Sequence, residues 1–475
     1  MMENPNPNPN PNQNQNQARR RLVCRSVVLV PCPFQGHVSP MLELGSVLHS
    51  KGFSITIAHC EEINPPNPSN HPDFAFLPFR LSGDDHQDIF SGGVEALFTS
   101  LNARSESPLK ECLAHHLKMM PDQKEGRISC IVVYDALMYT GEAAATQLKL
   151  PSLILRTSDA SALLAYGAMA RLQAAGYSDN FPDSKLRDPV PQLHPLRFKD
   201  LPTSKHQTLE SLVRMVSLVC IKRTSSAIIW NTLDWLEQPA MAKLQQQDQI
   251  PFFSVGPLFK LAVPRCPTNL MEEDAGCISW LDKQNPQSVL YISFGSLDFI
   301  DERELAEMAT GLANSGQPFL WAIRPGSVLG SQWIEPLPPG FVEEIGERGR
   351  IVKWAPQREV LAHSAIGGFW SHCGWNSTLE SISEGVPLMC SPRFGDQKVS
   401  ARYISYVWKV GLELETEVMD RKEIERVIRR LMVDKEGKEI RERAAALKEK
   451  VELSIKAGGS SYNALNALTE FILSL

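Results

Sequence analysis

The sequence has no C-x-x-C pair and no compact set of metal-ligand spacings among its ten cysteines, Cys24, Cys32, Cys60, Cys112, Cys130, Cys220, Cys266, Cys277, Cys373 and Cys390. Structural zinc and dithiol redox sites need such spacing, so buried free thiols in a reducing compartment are the better reading. It also lacks any run of about 18 apolar residues, and no short apolar segment precedes a small-residue cleavage site. Neither membrane insertion nor secretion is expected, and the cytoplasm is the default compartment. No G-x-x-x-x-G-K-[ST] segment occurs and no G-x-G-x-x-G follows the first apolar strand, which argues against a P-loop enzyme and a dinucleotide-dependent reductase. Positive charge is not in excess: 48 Lys and Arg against 54 Asp and Glu leave a net charge of −6. That balance supplies no field to attract nucleic acid or an anionic membrane.

What is present is an ordinary globular composition, 43% hydrophobic and 21% charged over 475 residues. Cores stop growing beyond roughly 250–300 residues, so this length predicts two domains and a cleft between them. Residues 1–21 are Asn, Pro and Gln followed by Arg19, Arg20 and Arg21, and are expected to form a disordered tail. Ser26 to Val30 reads as a strand, Ser39-Pro40 as the cap and first turn of a helix, and Ser54 to Ala58 as the next strand. This β-α-β unit predicts a parallel sheet. Cys130 to Tyr134 and Ser152 to Leu155 continue the alternation. Between about 195 and 280 the pattern degrades into mixed helix and loop. A second series runs through Val289 to Ser293, Phe319 to Ile323, Arg350 to Val352, Ile366 to Trp370 and Pro387 to Met389. The expected division is a first domain over 22–255, a linker over 256–275, a second domain over 276–457, and a final helix over 458–475 that crosses back onto the first.

The densest chemical signal lies between Trp354 and Gln397. Trp354-Ala355-Pro356-Gln357 is followed by His372-Cys373-Gly374-Trp375-Asn376-Ser377-Thr378-Leu379-Glu380 and then by Asp396-Gln397. The middle stretch is a strand-to-helix turn with hydrogen-bond donors at the helix start. Exposed N–H groups, the positive end of the helix dipole and the side chains of His372, Asn376 and Ser377 together suit a diphosphate. Glu380, about one turn on, can accept from a ribose diol, and Trp354 offers a flat face to a base. In the first half, His37 follows the first strand and Asp135 ends another. A carboxylate that holds one imidazole nitrogen leaves the other as a base.

The 354–397 run resembles the signature box of plant secondary-product glycosyltransferases that use uridine diphosphate (UDP) sugars, and the likeness extends over nearly the whole chain beyond residue 22. Pro33-Phe34-Gln35-Gly36-His37-Val38 and Ser50-Lys51-Gly52-Phe53-Ser54-Ile55-Thr56 are similar to the group containing steviol-glycoside and cytokinin glucosyltransferases. The resemblance implies an α/β fold of two facing doubly wound Rossmann-like domains, the GT-B arrangement. It implies that Trp354 stacks on uracil, that Ala355 and Gln357 contact the nucleoside and that Glu380 holds ribose. His372, Asn376, Ser377 and Ser296 would hold the diphosphate in place of a metal, while Trp375, Asp396 and Gln397 face the sugar. A terminal Gln such as Gln397 accompanies glucose donors in this family. His37 would deprotonate an acceptor hydroxyl with Asp135 as its partner, inverting the anomeric carbon, with Thr157 and Ser158 at the acceptor wall. The implied co-substrate is UDP-glucose, with no separate cofactor. The implied partners are a small lipophilic acceptor and the nucleotide sugar, with no obligate protein partner.

Two positions depart from the pattern of that family: Ser400 stands where Asn is frequent, and Asp159 where a second Ser is common after Thr157-Ser158. Three features are set aside. Asp84-Asp85-His86-Gln87-Asp88 reads as a polar loop, His115 and His116 cannot share a helix face, and the Asn376-Ser377-Thr378 sequon is inert in a cytosolic chain. The alternative from another class is a catalytically silent protein that binds a nucleotide sugar or a lipophilic ligand, against which the retention of both His37 and Asp135 argues.

Overall fold

A computed structural model describes residues 26–83, 93–120, 130–177, 183–203, 208–220, 224–262, 271–296, 298–414, 416 and 418–475. The tail over 1–21 and the Asp84–Asp88 stretch lie outside the described residues. The chain builds two parallel sheets. The first contains β1 (Ser26–Val30), β2 (Ser54–Cys60), β3 (Ala75–Phe79), β4 (Cys130–Asp135), β5 (Ser152–Arg156), β6 (Ala227–Trp230) and β7 (Phe252–Ser254). Their order is β3-β2-β1-β4-β5-β6-β7. The second contains β8 (Val289–Ser293), β9 (Phe319–Ala322), β10 (Gly349–Val352), β11 (Ile366–Ser371), β12 (Leu388–Cys390) and β13 (Gly411–Glu413), in the order β10-β9-β8-β11-β12-β13.

These strands form because apolar, β-rich runs are covered by helices on both faces, which requires continuous rather than alternating hydrophobicity. Val27, Val28, Leu29 and Val30 of β1 are all fully buried, with Val28 and Val30 in one core and Val27 and Leu29 in the other. The last helix, Ser460–Ser474, places Leu465, Leu468 and Ile472 in the second of those cores, against the first sheet. Its Ser461 hydroxyl donates to the Gly256 carbonyl at 2.6 Å. Among the described residues no helix is long and apolar enough to cross a membrane.

Two local readings of the sequence need correction. The helix after β1 spans Gln35–Ser50, so it starts four residues before Ser39 and carries Pro40 inside it. Pro40 has no N–H to give the carbonyl four residues back, that of Gly36. That carbonyl instead accepts from the Asn376 side chain at 2.7 Å, a contact from the other domain. The proline is tolerated because its missing donor is replaced from outside the helix. The stretch between 195 and 280 is also more ordered than its prolines imply, holding β6, β7 and the helices Leu209–Cys220 and Asp234–Gln247. Short strands of four and three residues carry too little periodicity to be read from sequence.

Candidate active site

Strand order reverses between β1 and β4 in the first sheet and between β8 and β11 in the second. Ligands of open α/β sheets bind at the carboxyl ends of the strands where this reversal opens a crevice. His37 lies just past β1 and Asp135 is the last residue of β4. Ser296 lies just past β8, and the His372-Cys373-Gly374 turn just past β11.

At the first crevice, His37 Nδ1 lies 2.8 Å from Asp135 Oδ2 and 2.9 Å from the Thr157 hydroxyl. Asp135 Oδ1 accepts from the Leu137 N–H at 2.8 Å, which fixes the carboxylate plane. The Asp135 side chain is 1% exposed and that of His37 23%. Both polar contacts of the imidazole use Nδ1, which leaves Nε2 for whatever enters the crevice. Burial pulls the His37 pKa down, but the charge and hydrogen bond of Asp135, with a contribution from Asp396, outweigh it and hold the pKa above its ordinary value. Ser158 is half-buried beside Thr157.

At the second crevice the chain turns through Cys373, which has φ of +66° and is buried, into the helix Trp375–Glu384. A left-handed non-glycine residue costs about 1–3 kcal/mol and persists only where its surroundings fix it. Here the Ser371 hydroxyl accepts from the Cys373 N–H at 3.0 Å. The first-turn N–H groups of the helix, having no carbonyl behind them, point into the crevice. The His372 ring fills the space between two glycines: a Cβ at Gly295 would lie 2.8 Å from its Nε2, and one at Gly374 2.5 Å from the same atom. Burial brings its pKa down to about 4, only partly countered by the Ser293 backbone, so the ring is neutral at pH 7. A neutral imidazole carries one N–H, to be given either to the Ser293 backbone or to an anion, and adds no fixed charge in either case.

The remaining residues of the second site form one network. Gln357 donates to the Ser377 hydroxyl at 3.0 Å and to Glu380 Oε2 at 2.7 Å, and its carbonyl oxygen accepts from the Tyr291 hydroxyl at 3.2 Å. Trp354 is half-buried, as a stacking face must be, and Ala355 beside it is buried. Gln397 accepts from the Arg393 N–H at 2.9 Å and the Phe394 N–H at 3.3 Å. Its carbonyl oxygen is therefore committed to the loop, and its amide N–H₂ is what remains for a ligand. Asp396 is half-buried at the first turn of the helix Asp396–Arg402, where burial raises its pKa and the charge of His37 opposes the rise.

Trp375 needs a correction. Its indole does not face the crevice: the side chain is buried against Leu233, Leu236 and Leu379, and its N–H donates to the Asn231 carbonyl of the first domain at 2.8 Å. What Trp375 presents to the crevice is its main-chain N–H at the helix start. An aromatic side chain on the buried side of a helix next to another domain gains more by docking than by lining a polar cleft.

Two participants escaped the sequence reading. Arg358 donates to Glu380 Oε1 at 2.9 Å and also pairs with Glu43, so a cation bridges the helix that carries His37 and the carboxylate expected to hold ribose. Burial costs this guanidinium, but the two carboxylates more than offset that and raise its pKa. The signal was available: Glu43 is an acid flanked by the buried Met41, Leu42 and Leu44. A buried acid of this kind requires a partner.

Comparison with known proteins gives the family. The family described as "UDP-glucoronosyl and UDP-glucosyl transferase" matches residues 272–449. A tomato (Solanum lycopersicum) protein named UDP-glycosyltransferase 76E1 is 48% identical, over 95% of this chain and 93% of its own. Flavonol 3-O-glucosyltransferase UGT76E12 of Arabidopsis thaliana is 46% identical, over 95% of this chain and 97% of its own. Among solved structures, UGT2 of Phytolacca americana, complexed with UDP-2fluoro-glucose and pterostilbene, superposes with a TM-score of 0.76 at 28% identity. That match covers 94% of this chain and 99% of the other. The chain belongs to the UDP-glycosyltransferase family of plants, with its two-domain GT-B fold and its glycosyl-transfer activity.

Proposed function

We propose that this enzyme transfers glucose from UDP-glucose to a hydroxyl of a small lipophilic plant metabolite, with His37 as general base and Asp135 as its orienting partner. The observation that carries the reading is the 2.8 Å contact of His37 Nδ1 with buried Asp135, set beside a helix start of the other domain that suits a diphosphate. With Nδ1–H donated to Asp135, Nε2 takes the acceptor proton as the acceptor oxygen bonds to the anomeric carbon. The bond from that carbon to the β-phosphate oxygen breaks in the same displacement, and the electron pair leaves on the diphosphate. Main-chain N–H groups of the first turn of Trp375–Glu384, with His372, Asn376, Ser377 and Ser296, receive that charge without a metal. A single displacement inverts the anomeric centre. The relative named as a flavonol glucosyltransferase and the neighbour solved with a stilbene support a flat, apolar acceptor. The apolar helix Ala160–Ala174 beside Thr157 and Ser158 fits one. Free thiols at Cys32, Cys60, Cys112, Cys130, Cys277, Cys373 and Cys390 suit the reducing cytoplasm.

The test is to incubate the purified chain with UDP-glucose and a panel of phenolics, terpenoids and cytokinins, following product mass and the anomeric coupling constant. A β-glucoside is expected. An α-linked product would remove the single displacement, and binding of UDP-glucose without transfer to any acceptor would favour a silent binding protein.

A further inference from the structure

Asp159, at the start of the helix Ala160–Ala174, and Ser400, on the helix Asp396–Arg402, touch each other. The Ser400 hydroxyl donates to Asp159 Oδ2 at 3.0 Å, and both residues are almost fully buried, at 1% and 2% exposure. Asp159 caps the acceptor-side helix Ala160–Ala174, its Oδ1 accepting from the Ala162 N–H at 2.6 Å. Ser400 lies on Asp396–Arg402, four residues after Asp396, so the two share one face of that helix. We infer that Asp159 and Ser400 are a matched pair of positioning residues that hold the sugar-reading end of Asp396–Arg402 against the acceptor-side helix and so sharpen the choice of donor sugar. The inference rests on the proposed role of Asp396 and Gln397 in reading the sugar.

Two further observations join the same two elements, and a third anchors the acceptor-side helix. Val399 packs in one apolar cluster with Ala162, Ala165 and Ala168. A Cβ on Gly395, the residue before Asp396, would lie 3.0 Å from the Tyr166 hydroxyl, so Tyr166 backs the turn from which the sugar-reading residues emerge. Glu237 in turn anchors the start of the acceptor-side helix, accepting from the Ala160 and Ser161 N–H groups at 3.0 and 3.1 Å and from the Thr232 hydroxyl at 2.7 Å. The sugar-reading turn therefore rests on a rigid helix end through a hydrogen bond at Ser400, an apolar contact at Val399 and a close approach at Gly395. Only the hydrogen bond depends on side-chain identity at both ends.

The gap between the two helices is spanned by one longer side chain, Asp159, and one short one, Ser400. A single change of reach breaks the match: Ser400→Asn sets two long side chains against each other, and Asp159→Ser leaves two hydroxyls too short to meet. Exchanging long for short at both positions restores the total reach. Ser still caps a helix nearly as well as Asp, so Asp159→Ser keeps the local fold.

The experiment measures kcat/KM for UDP-glucose and UDP-galactose with one accepted acceptor, together with inhibition by UDP. It compares the wild type with Ser400→Ala, Asp159→Ser, the double variant Asp159→Ser/Ser400→Asn, and Gln397→Ala as control. Ser400→Ala and Asp159→Ser are expected to lower the glucose preference about fivefold, the weight of one hydrogen bond, through kcat and with unchanged UDP inhibition. The double variant is expected to recover the wild-type preference. If Gln397→Ala alters the preference and both single variants leave it intact, the pair has no positioning role. A double variant as impaired as the singles combined overturns the matching argument in the same way. An unaltered preference in Gln397→Ala instead removes the sugar-reading assignment, and the inference falls with it.

Discussion

The two crevices of this molecule arise from the same topological event and are furnished in opposite ways. At the β8/β11 reversal nearly everything is local: one turn supplies His372 and the donors of the helix start, and the glycines at 295 and 374 make room for the imidazole. At the β1/β4 reversal the working pair comes from positions 98 residues apart, with Thr157 reaching in from a third strand end. In the proposed reaction the local site binds with main-chain dipoles, whose placement is fixed once the helix forms. The dispersed site would act through a side-chain proton, whose energy depends on burial and chiefly on one carboxylate. Binding and chemistry should therefore be separable by mutation.

The largest separation is expected from His37→Ala. Transfer to an aliphatic hydroxyl should fall ~10²–10⁴-fold, because the base acts on the acceptor. UDP affinity, measured by calorimetry, should hold. Acidic phenols should lose less, since they ionise with little help. Turnover of an unactivated alcohol at the wild-type rate would remove the dyad. The converse variant is Gly374→Ala. Gly374 has φ of −60°, which alanine accepts, so the only insult is a Cβ 2.5 Å from His372 Nε2. Displacing that ring and crowding the helix start should weaken UDP binding by ~10- to 100-fold, the loss of one or two hydrogen bonds. Unchanged UDP affinity in this variant would mean that His372 is no part of the anion site.

Smaller and more diagnostic is the pH profile. In the proposed reaction the base is the neutral imidazole, so activity should rise with pH through the His37 pKa, which Asp135 holds above its ordinary value of 6.5. The acid limb of kcat/KM should therefore have its midpoint above 6.5. In Asp135→Asn the main supporting charge is gone and burial outweighs the smaller contribution of Asp396, so the midpoint should move down while the plateau falls because the tautomer is no longer held. A midpoint that stays in place would mean that the limb reports another group.

The same contrast explains what could be read from the sequence. The second site was legible because its residues are contiguous enough for a strand, a turn and a helix cap to be recognised together between 354 and 397. For the first site, residue type and strand ends suggested His37 and Asp135, and family resemblance weighted them. What sequence could not supply was which side chains meet across the domain interface: the Trp375 indole docking on Asn231, Arg358 between Glu43 and Glu380, and the meeting of Asp159 with Ser400. Those contacts have no sequence period. They depend on how two independently patterned domains are set against each other.

The smallest expected effect tests whether the two crevices are coupled through the backbone. Pro40 leaves the Gly36 carbonyl without a helical donor, and Asn376 at the start of Trp375–Glu384 supplies one, next to His37, the proposed base. Pro40→Ala restores an N–H four residues after Gly36, in register for an ordinary helical bond. The helix should then gain stability, since proline inside a helix is the least favourable residue there, and the melting temperature should rise. The Asn376 contact must now share the carbonyl with a main-chain donor, so its hold on the Gly36–His37 segment weakens without disappearing. Activity should fall about two- to fivefold, no more than the weight of one neutral hydrogen bond, with the acceptor KM raised and UDP affinity unchanged. A more stable protein with a slower reaction is the signature of a strained contact kept for function. A rise in melting temperature with full activity would show that the proline merely interrupts the helix and that the two crevices communicate by other contacts.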